Sequence, residues 1–154
     1  AFKSLQSIGK IRYFGVSNFN TTDINEWRQC NGGKALVTNQ ILYNLSRRGA
    51  EWDLIPLCNN LNIPIMAYSP LEQGRLQSSP VLCRIGERHN ATPLQIALAW
   101  VLTKKNVITI PKALDYQHID QNIASLEIIL DADDHALLNA KFLPPSAPSH
   151  LEML

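Results

Sequence analysis

Four short stretches place polar or aromatic side chains directly after a run of buried-type residues. They are Ser17-Asn18, Gln40, Tyr68-Ser69 and Pro111-Lys112. Taken singly, each is explained well as a turn, a helix cap, a core residue or a solvated cation. Taken together, they offer amide and hydroxyl groups, an aromatic face and a cation beside a helix start. This set suits a ligand with a planar, amide-bearing ring and a phosphate, such as a nicotinamide nucleotide.

The first of these stretches lies in the segment Arg12–Phe19, which reads as a strand, a polar tip and the start of a helix. Tyr13, Phe14 and Val16 favour a pleated, buried surface, and Gly15 allows a close approach of another backbone or of a ligand. Asn20 or Thr21 can cap the following helix, with Asp23 in its first turn. The segment therefore predicts one βα unit.

The same plan recurs three more times along the chain. Strands are predicted at 37–41, 63–69 and 107–110, and helices at 51–60, 80–89, 92–105, 115–126 and 132–142. Thr92 and Gln95 form a capping box, with Pro93 at the first helical position. Strand–helix alternation with buried strands predicts a parallel sheet. Four βα units fit either a small doubly wound sheet or half of a (βα)8 barrel, and in both folds ligands bind at the carboxyl ends of the strands.

The composition indicates a globular domain without a strongly charged surface. The 154 residues are 45% hydrophobic and 18% charged, with a formal net charge of +1, which gives no sign of a nucleic-acid or membrane partner. Cys30, Cys58 and Cys83 are an odd number without CxxC spacing, so we expect free thiols and a cytoplasmic location. The opening residues, from Ala1 to a glycine stop at Gly9, read as the middle of a helix, so a fragment is expected.

Several common sites have no matching motif. Neither GxGxxG nor GxxxxGK[ST] occurs, and there is no GxSxG nucleophile elbow. The four histidines lack metal-ligand spacing, so no metal site is predicted. The acidic cluster Asp131, Asp133 and Asp134 is explained by helix capping and the helix dipole.

The motifs in their order resemble those of the aldo-keto reductase superfamily, in particular its bacterial reductases. The matching stretches are Gly15-Val16-Ser17-Asn18-Phe19, Asn39-Gln40 with Tyr43-Asn44, Ala67-Tyr68-Ser69-Pro70-Leu71, and Ile110-Pro111-Lys112 with Asn122. The resemblance implies an α/β chain that forms half of a (βα)8 TIM barrel, strands five to eight with their helices. Residues 1–143 would be this C-terminal half-barrel with the cofactor motifs, and 144–154 a C-terminal tail.

By resemblance, each motif would bind one part of NADPH. Ser17, Asn18 and Gln40 would hold the nicotinamide carboxamide, and Tyr68 would stack on the ring. Ser69 and Leu71, with the loop through Gly74, would lie along the diphosphate. Lys112 would meet the 2′-phosphate, while Gln121 and Asn122 would approach the adenine. The full set of implied cofactor residues is Ser17, Asn18, Gln40, Tyr68, Ser69, Pro70, Leu71, Gly74, Ile110, Pro111, Lys112, Ala113, His118, Gln121 and Asn122.

Two positions depart from the family pattern near the 2′-phosphate. Ala113 follows the lysine where the family often has Ser or Thr, and His118 stands where it often has Arg. Both departures remove a phosphate donor or a fixed charge, so NADH remains an alternative cofactor.

The family's catalytic tetrad of Asp, Tyr, Lys and His belongs to the first half of its barrel, and no residue here matches it. The resemblance implies an NADPH-dependent oxidoreductase whose complete form reduces aldehydes or ketones by hydride transfer, and a chain that is inactive alone. The expected partners are the carbonyl substrate, a missing N-terminal half-barrel and a second copy bound through open strand edges. The alternatives are a non-catalytic nucleotide-binding or regulatory module, a self-contained flavodoxin-like protein and a proteolytic fragment.

Overall fold

Four parallel strands alternate with seven helices, and the computed structural model describes all of residues 1–154. The strands are β1 (Phe14–Ser17), β2 (Leu36–Leu42), β3 (Ile65–Tyr68) and β4 (Val107–Thr109). The helices are α1 (Phe2–Ser7), α2 (Thr21–Gln29), α3 (Leu54–Asn60), α4 (Pro80–His89), α5 (Pro93–Leu102), α6 (Tyr116–Ala124) and α7 (Ala132–Lys141). Short 3-10 segments lie at Gly33–Ala35, Gly49–Glu51, Glu72–Ser78 and Ser125–Glu127.

The strands follow one another across the sheet in chain order, β1-β2-β3-β4, and every pair is parallel. A doubly wound sheet reverses its strand order at a switch point, whereas a (βα)8 barrel adds each strand beside the previous one. The sheet has no such reversal. Its order is therefore that of a barrel segment, which removes the doubly wound alternative.

Only one face of the sheet is covered by the helices. On that face Asn39, Ile41, Ile65 and Ala67 are no more than 1% exposed. The opposite face carries the alternate residues of the strands, and there Ile108 of β4 is 50% exposed. A flavodoxin-like protein would cover both faces, so the structure contradicts the alternative of a self-contained flavodoxin-like layout.

Helix capping follows the sequence prediction closely. Asn20 accepts a hydrogen bond from the Asp23 amide and Thr92 from the Gln95 amide, and both pairs form complete capping boxes. Asp131 caps α7 in the same way, as the acidic cluster predicted. These side chains satisfy the free N–H groups at the helix starts, which explains why the boundaries could be read from the sequence.

Two predicted features are wrong at the first two units. Tyr13, expected on a buried surface, lies just before β1 and is 71% exposed, because the next residue, Phe14, takes the buried side and stacks on Phe2 of α1 while Tyr13 lies on the opposite side of the extended chain. The helix expected from Glu51 begins only at Leu54, after a separate 3-10 turn. Asp53 has φ −137°, outside the helical range, and this separates the two segments.

Gly15 allows the close approach of a neighbouring backbone, as predicted. A Cβ atom at this position would lie 2.5 Å from the Thr38 Cγ2 atom and 3.0 Å from the Thr38 carbonyl oxygen. The register between β1 and β2 shifts at this point, between the pairs Phe14–Leu36 and Val16–Asn39. The extra residue of β2 therefore fits only against a residue without a side chain.

An ion cluster around the buried carboxylate of Asp134 joins α7 to α4. The fully buried carboxylate of Asp134 accepts a hydrogen bond from Arg88 Nη1 at 2.7 Å and lies 2.7 Å from His89 Nε2. Arg88 also donates to Asp131, the cap of α7.

None of the helices combines the length and the apolar character that a membrane-spanning helix requires.

Candidate functional site

The amide and hydroxyl groups predicted to bind a carboxamide come together at the carboxyl end of β1 and β2. Ser17 and Gln40 are register partners, and the Ser17 hydroxyl donates to the Gln40 carbonyl oxygen at 3.1 Å. The Asn18 amide donates to the same oxygen at 2.8 Å. The Oδ1 atom of Asn18 is buried and has no hydrogen-bond partner. A buried acceptor without a donor is costly, so this atom fits the N–H group of a bound carboxamide.

Asn39 holds the backbone beside Asn18 in place. Its side chain is fully buried, donates to the Phe19 carbonyl oxygen at 2.8 Å and accepts from the Phe19 amide at 3.3 Å. These two bonds fix the turn in which Asn18 takes the left-handed φ of 56°. Asn39 was recognised only as part of a motif, because a sequence does not show which backbone groups a side chain reaches.

The side chains of Gln40 and Tyr68 lie on the uncovered face of the sheet. The Nε2 atom of Gln40 donates to the Met66 sulfur at 3.1 Å, within the row formed by Ser17, Gln40 and Met66 across three strands. Tyr68 ends β3 and is half-buried, and its hydroxyl accepts a hydrogen bond from the Leu154 amide at 3.3 Å. The tail therefore reaches the aromatic residue that was predicted to stack on a ring.

A cavity of about 640 Å³ adjoins these groups on the β3 and β4 side. Its volume falls in the range of small-molecule sites. Ten predicted cofactor residues line it: Ser69, Pro70, Leu71, Gly74, Ile110, Pro111, Lys112, His118, Gln121 and Asn122. The structure thus brings the residues predicted for the diphosphate, 2′-phosphate and adenine to one cavity, and leaves Ser17, Asn18, Gln40 and Tyr68 outside its wall at the strand ends.

Five further residues line the cavity and were missed as site residues: Gln73, Gln77, Thr92, Leu94 and Gln95. The sequence did mark Thr92 and Gln95 as a capping box, and both are engaged in it. Gln95 Nε2 also donates to the Gln121 carbonyl oxygen at 3.1 Å, which joins α5 to α6 across the cavity wall. Capping motifs at the carboxyl edge of a parallel sheet were the available signal, since ligands bind at this edge.

The cation expected at the 2′-phosphate is exposed and free of ion pairs. Lys112 lines the cavity and makes no salt bridge. Ala113 does not line it and instead belongs to an apolar groove beside β4. His118 lines the cavity, but its Nδ1 atom lies 2.9 Å from the Asp115 carboxylate and is engaged with it. Lys112 is therefore the one fixed positive charge in this wall.

The loop after β3 has an unusual backbone conformation. Ser69, Glu72 and Gln73 have φ values of 48°, 48° and 56°, and Gly74 has 82°. Left-handed residues other than glycine cost roughly 1–2 kcal/mol each, so surrounding contacts must hold them. The 5%-exposed Glu72 supplies such contacts: its carboxylate accepts from Arg47 at 2.8 Å and from Asn44 Nδ2 at 2.7 Å.

These contacts make stability depend on pH. Burial alone raises the pKa of Glu72, but the hydrogen bonds from Arg47 and Asn44 outweigh it and hold the pKa below its usual value of 4.5. Because the unfolded chain takes up this proton first, the stabilisation is complete above that value and is lost as pH falls through the lower folded-state pKa. Urea unfolding between pH 7 and pH 3 should show a smaller acid-induced loss in Glu72→Gln than in the unchanged chain. An equal loss in both would contradict this assignment.

Tyr43 is excluded as a proton donor. It is fully buried, and its hydroxyl donates to Glu51 at 2.7 Å. Burial raises the pKa of Tyr43, and the neighbouring Glu51 raises it further.

No three His, Cys, Asp or Glu side chains are grouped so as to hold a metal ion.

The comparison with known proteins decides the family. The profile described as the Aldo/keto reductase family matches residues 1–142. The chain belongs to the aldo/keto reductase family. The methylglyoxal reductase YeaE of Escherichia coli is 41% identical, over 100% of this chain and 56% of that protein. The glyoxal reductase of Bacillus subtilis is 34% identical, over 91% of this chain and 49% of that protein.

Solved structures of aldo/keto reductases share this fold. The enzyme from Klebsiella pneumoniae, solved in complex with NADP and acetate, superposes with a TM-score of 0.96 at 38% identity. The match covers 99% of this chain and 56% of that one, and a second structure of an aldo-keto reductase from this organism contains NADPH. The chain spans about half the length of the aldo/keto reductases it matches.

Proposed function

We propose that this chain is the C-terminal, NADPH-binding half of a bacterial-type aldo-keto reductase. The observation that carries the proposal is the convergence of four strand ends on one edge of the sheet, next to a cavity of about 640 Å³. The buried, unpaired Oδ1 atom of Asn18 supports a carboxamide ligand at one end of this edge. The unpaired cation Lys112 supports a phosphate ligand at the other end.

In this proposal the chain binds and orients the cofactor, and NADPH when bound supplies the hydride. Ser17 and Asn18 hold the carboxamide, Gln40 contacts it from β2, and Tyr68 supports the ring face. Because these residues sit on adjacent hydrogen-bonded strands, the ring is fixed before any reaction. Ser69, Leu71 and Gly74 follow the diphosphate, while Gln121 and Asn122 approach the adenine.

The complete enzyme would reduce an aldehyde or ketone to an alcohol. NADPH held by this chain would supply the hydride for the carbonyl carbon and would become NADP⁺, and a proton donor would supply the proton for the carbonyl oxygen. The proton donor belongs to the Asp-Tyr-Lys-His tetrad, which we place in an N-terminal half-barrel outside this chain. Relatives are named for methylglyoxal and glyoxal, which makes small carbonyl compounds suitable test substrates.

The test separates binding from turnover. NADPH titrated into the isolated chain should quench tryptophan fluorescence with weak affinity, while NADPH oxidation with methylglyoxal should stay at the rate without protein. Robust turnover by the chain alone would overturn the absence of the tetrad. Addition of a matching N-terminal half-barrel should restore turnover. A chain that binds NADPH and stays inactive in that mixture would be a nucleotide-sensing module instead.

We also propose that the open edges of the sheet take partner strands. The outer edges of β1 and β4 pair with nothing, and an apolar groove runs along β4. The groove is lined by Leu98, Leu102, Val107, Ile108, Ile119, Ile123 and Leu126, among others. An N-terminal half-barrel covers these edges in the complete enzyme, and a second copy does so in the isolated chain. Analytical ultracentrifugation of the isolated chain should show a dimer. A stable monomer would refute the proposal that a second copy covers the open edges.

A cytoplasmic location belongs to the same proposal. Cys30 is exposed, Cys83 is partly exposed and Cys58 is buried, and all three are free thiols. Free thiols persist in a reducing compartment. Fractionation of the source cells should find the full-length protein with cytoplasmic markers, and enrichment in a secreted fraction would contradict this.

A further inference from the structure

The tail of residues 144–154 has no helix or strand, yet it is tied down at several points. A Cβ atom on Gly49 would lie 2.5 Å from the Ser149 hydroxyl oxygen, so the tail crosses this glycine closely. Leu151 packs against the hydrophobic core, and the Leu154 amide donates to the Tyr68 hydroxyl at 3.3 Å. The tail thus lies across the same edge of the sheet as the candidate site.

One guanidinium joins the tail to the loop after β3. Arg47 Nη1 donates to Glu152 in the tail at 3.0 Å. Arg47 Nε and Nη2 donate to Glu72 in the loop at 3.1 and 2.8 Å. The side chain of Arg47 is 34% exposed and that of Glu72 only 6%, so the loop is the buried anchor and the tail the accessible end.

Glu72 is well placed to transmit this contact to the cavity. Its neighbours Gln73 and Gly74 line the cavity, and all three residues have left-handed φ values. The second carboxylate oxygen of Glu72 is held by Asn44, which also donates to the Ser69 carbonyl oxygen at 2.9 Å. Asn44 therefore joins Ser69 to the carboxylate of Glu72 within the strained loop, and Arg47 holds the same carboxylate.

We propose that Arg47 is a positioning residue that couples the loop after β3 to the tail, so that ordering one segment orders the other. The coupling rests on the proposed function for the identity of the ligand, NADPH, but not for the contact itself. Linkage makes the effect reciprocal: NADPH that orders the loop also docks the tail, and a docked tail strengthens NADPH binding by the same factor. Because the tail reaches Tyr68, its docking closes over the ring-binding end of the site.

The test is a ¹⁵N relaxation measurement on the isolated chain without cofactor. In the unchanged protein, the amides of 71–74 and 151–154 should have order parameters near the rigid value of about 0.85. Arg47→Lys keeps the charge but cannot hold two carboxylates with one planar fork. We expect it to lower the order parameters of both segments, toward about 0.6 or less in the tail. The matched control is Arg84→Lys, the same change at an exposed arginine of α4 without an ion pair.

A second variant and a titration separate this proposal from the assignment of function. Glu152→Gln should lower the order parameters of the tail, and should lower those of the loop less than Arg47→Lys does. Glu87→Gln is the control for this variant. NADPH should bind about 5-fold or more weakly to the Arg47→Lys variant. If NADPH fails to bind even the unchanged chain, the proposed function fails, while the relaxation data still decide the coupling. The coupling is overturned if Arg47→Lys frees one segment and leaves the other rigid, or changes neither.

Discussion

Replacing Lys112 with methionine should weaken NADPH binding by about 10- to 100-fold and leave NADH binding nearly unchanged. A charged hydrogen bond contributes roughly 1.5–3 kcal/mol, and each 1.4 kcal/mol is a factor of ten in affinity. Lys112 lines the cavity and makes no salt bridge, whereas His118 in the same wall lies beside the Asp115 carboxylate. NADH lacks the 2′-phosphate and so has no group for Lys112 to bind. Methionine preserves most of the side-chain length.

The measurement is a fluorescence titration of both nucleotides at two salt concentrations. Lys105→Met is the control, because Lys105 is also exposed, makes no ion pair and lies outside the cavity wall. The NADPH affinity of the unchanged chain should fall with salt, and that of Lys112→Met should fall less. An equal loss for NADPH and NADH would show that Lys112 does not read the 2′-phosphate.

Replacing Trp100 with alanine should lower the free energy of unfolding by about 3–5 kcal/mol. Trp100 is 1% exposed in α5, and its ring packs against Tyr43 with centroids 5.8 Å apart. Two cations cover it: Arg48 Cζ lies 4.9 Å and Lys104 Nζ 3.9 Å from the ring centroid. Alanine would leave a cavity and remove the stacking surface of both cations.

Thermal and urea unfolding followed by circular dichroism measure this loss. A loss of this size lowers the melting temperature by roughly 6–20 °C in a chain of this length. Trp52→Ala is the control, because Trp52 is 47% exposed and a surface change stays within about 0.5 kcal/mol. If Trp100→Ala does not fold, Trp100→Phe keeps most of the volume and should show a smaller loss. Similar losses for Trp100→Ala and Trp52→Ala would contradict the central role of this ring.

The sequence predicted the parts of the fold that depend on local signals. The caps at Asn20, Thr92 and Asp131 and the proline at the start of α5 set helix boundaries within a few residues, and the structure has the same caps. Local signals could not decide between a doubly wound sheet and a barrel segment. The choice depends on which strands become neighbours, which no periodicity reports.

The site was predictable as a set of residue types and not as a geometry. The motifs brought ten of the predicted residues to one cavity wall, because parallel strands end at the same edge. The network of Asn44, Arg47, Glu72 and Glu152 was not predicted, since its members are spread over more than one hundred positions and only Asn44 belongs to a recognised motif. The exposure of Tyr13 was misread because its residue type favours burial while its place beyond the edge strand does not.

The sequential strand order has a consequence for where the sheet opens. β1 and β4 each have one hydrogen-bonded neighbour, whereas β2 and β3 have two, so fraying should begin at the outer strands and reach the middle last. A dinucleotide held by Ser17 and Asn18 at one side and by Lys112 at the other would span from one outer strand to the other. A bound dinucleotide would then stabilise both outer strands and slow hydrogen exchange most in the strands with the fewest partners.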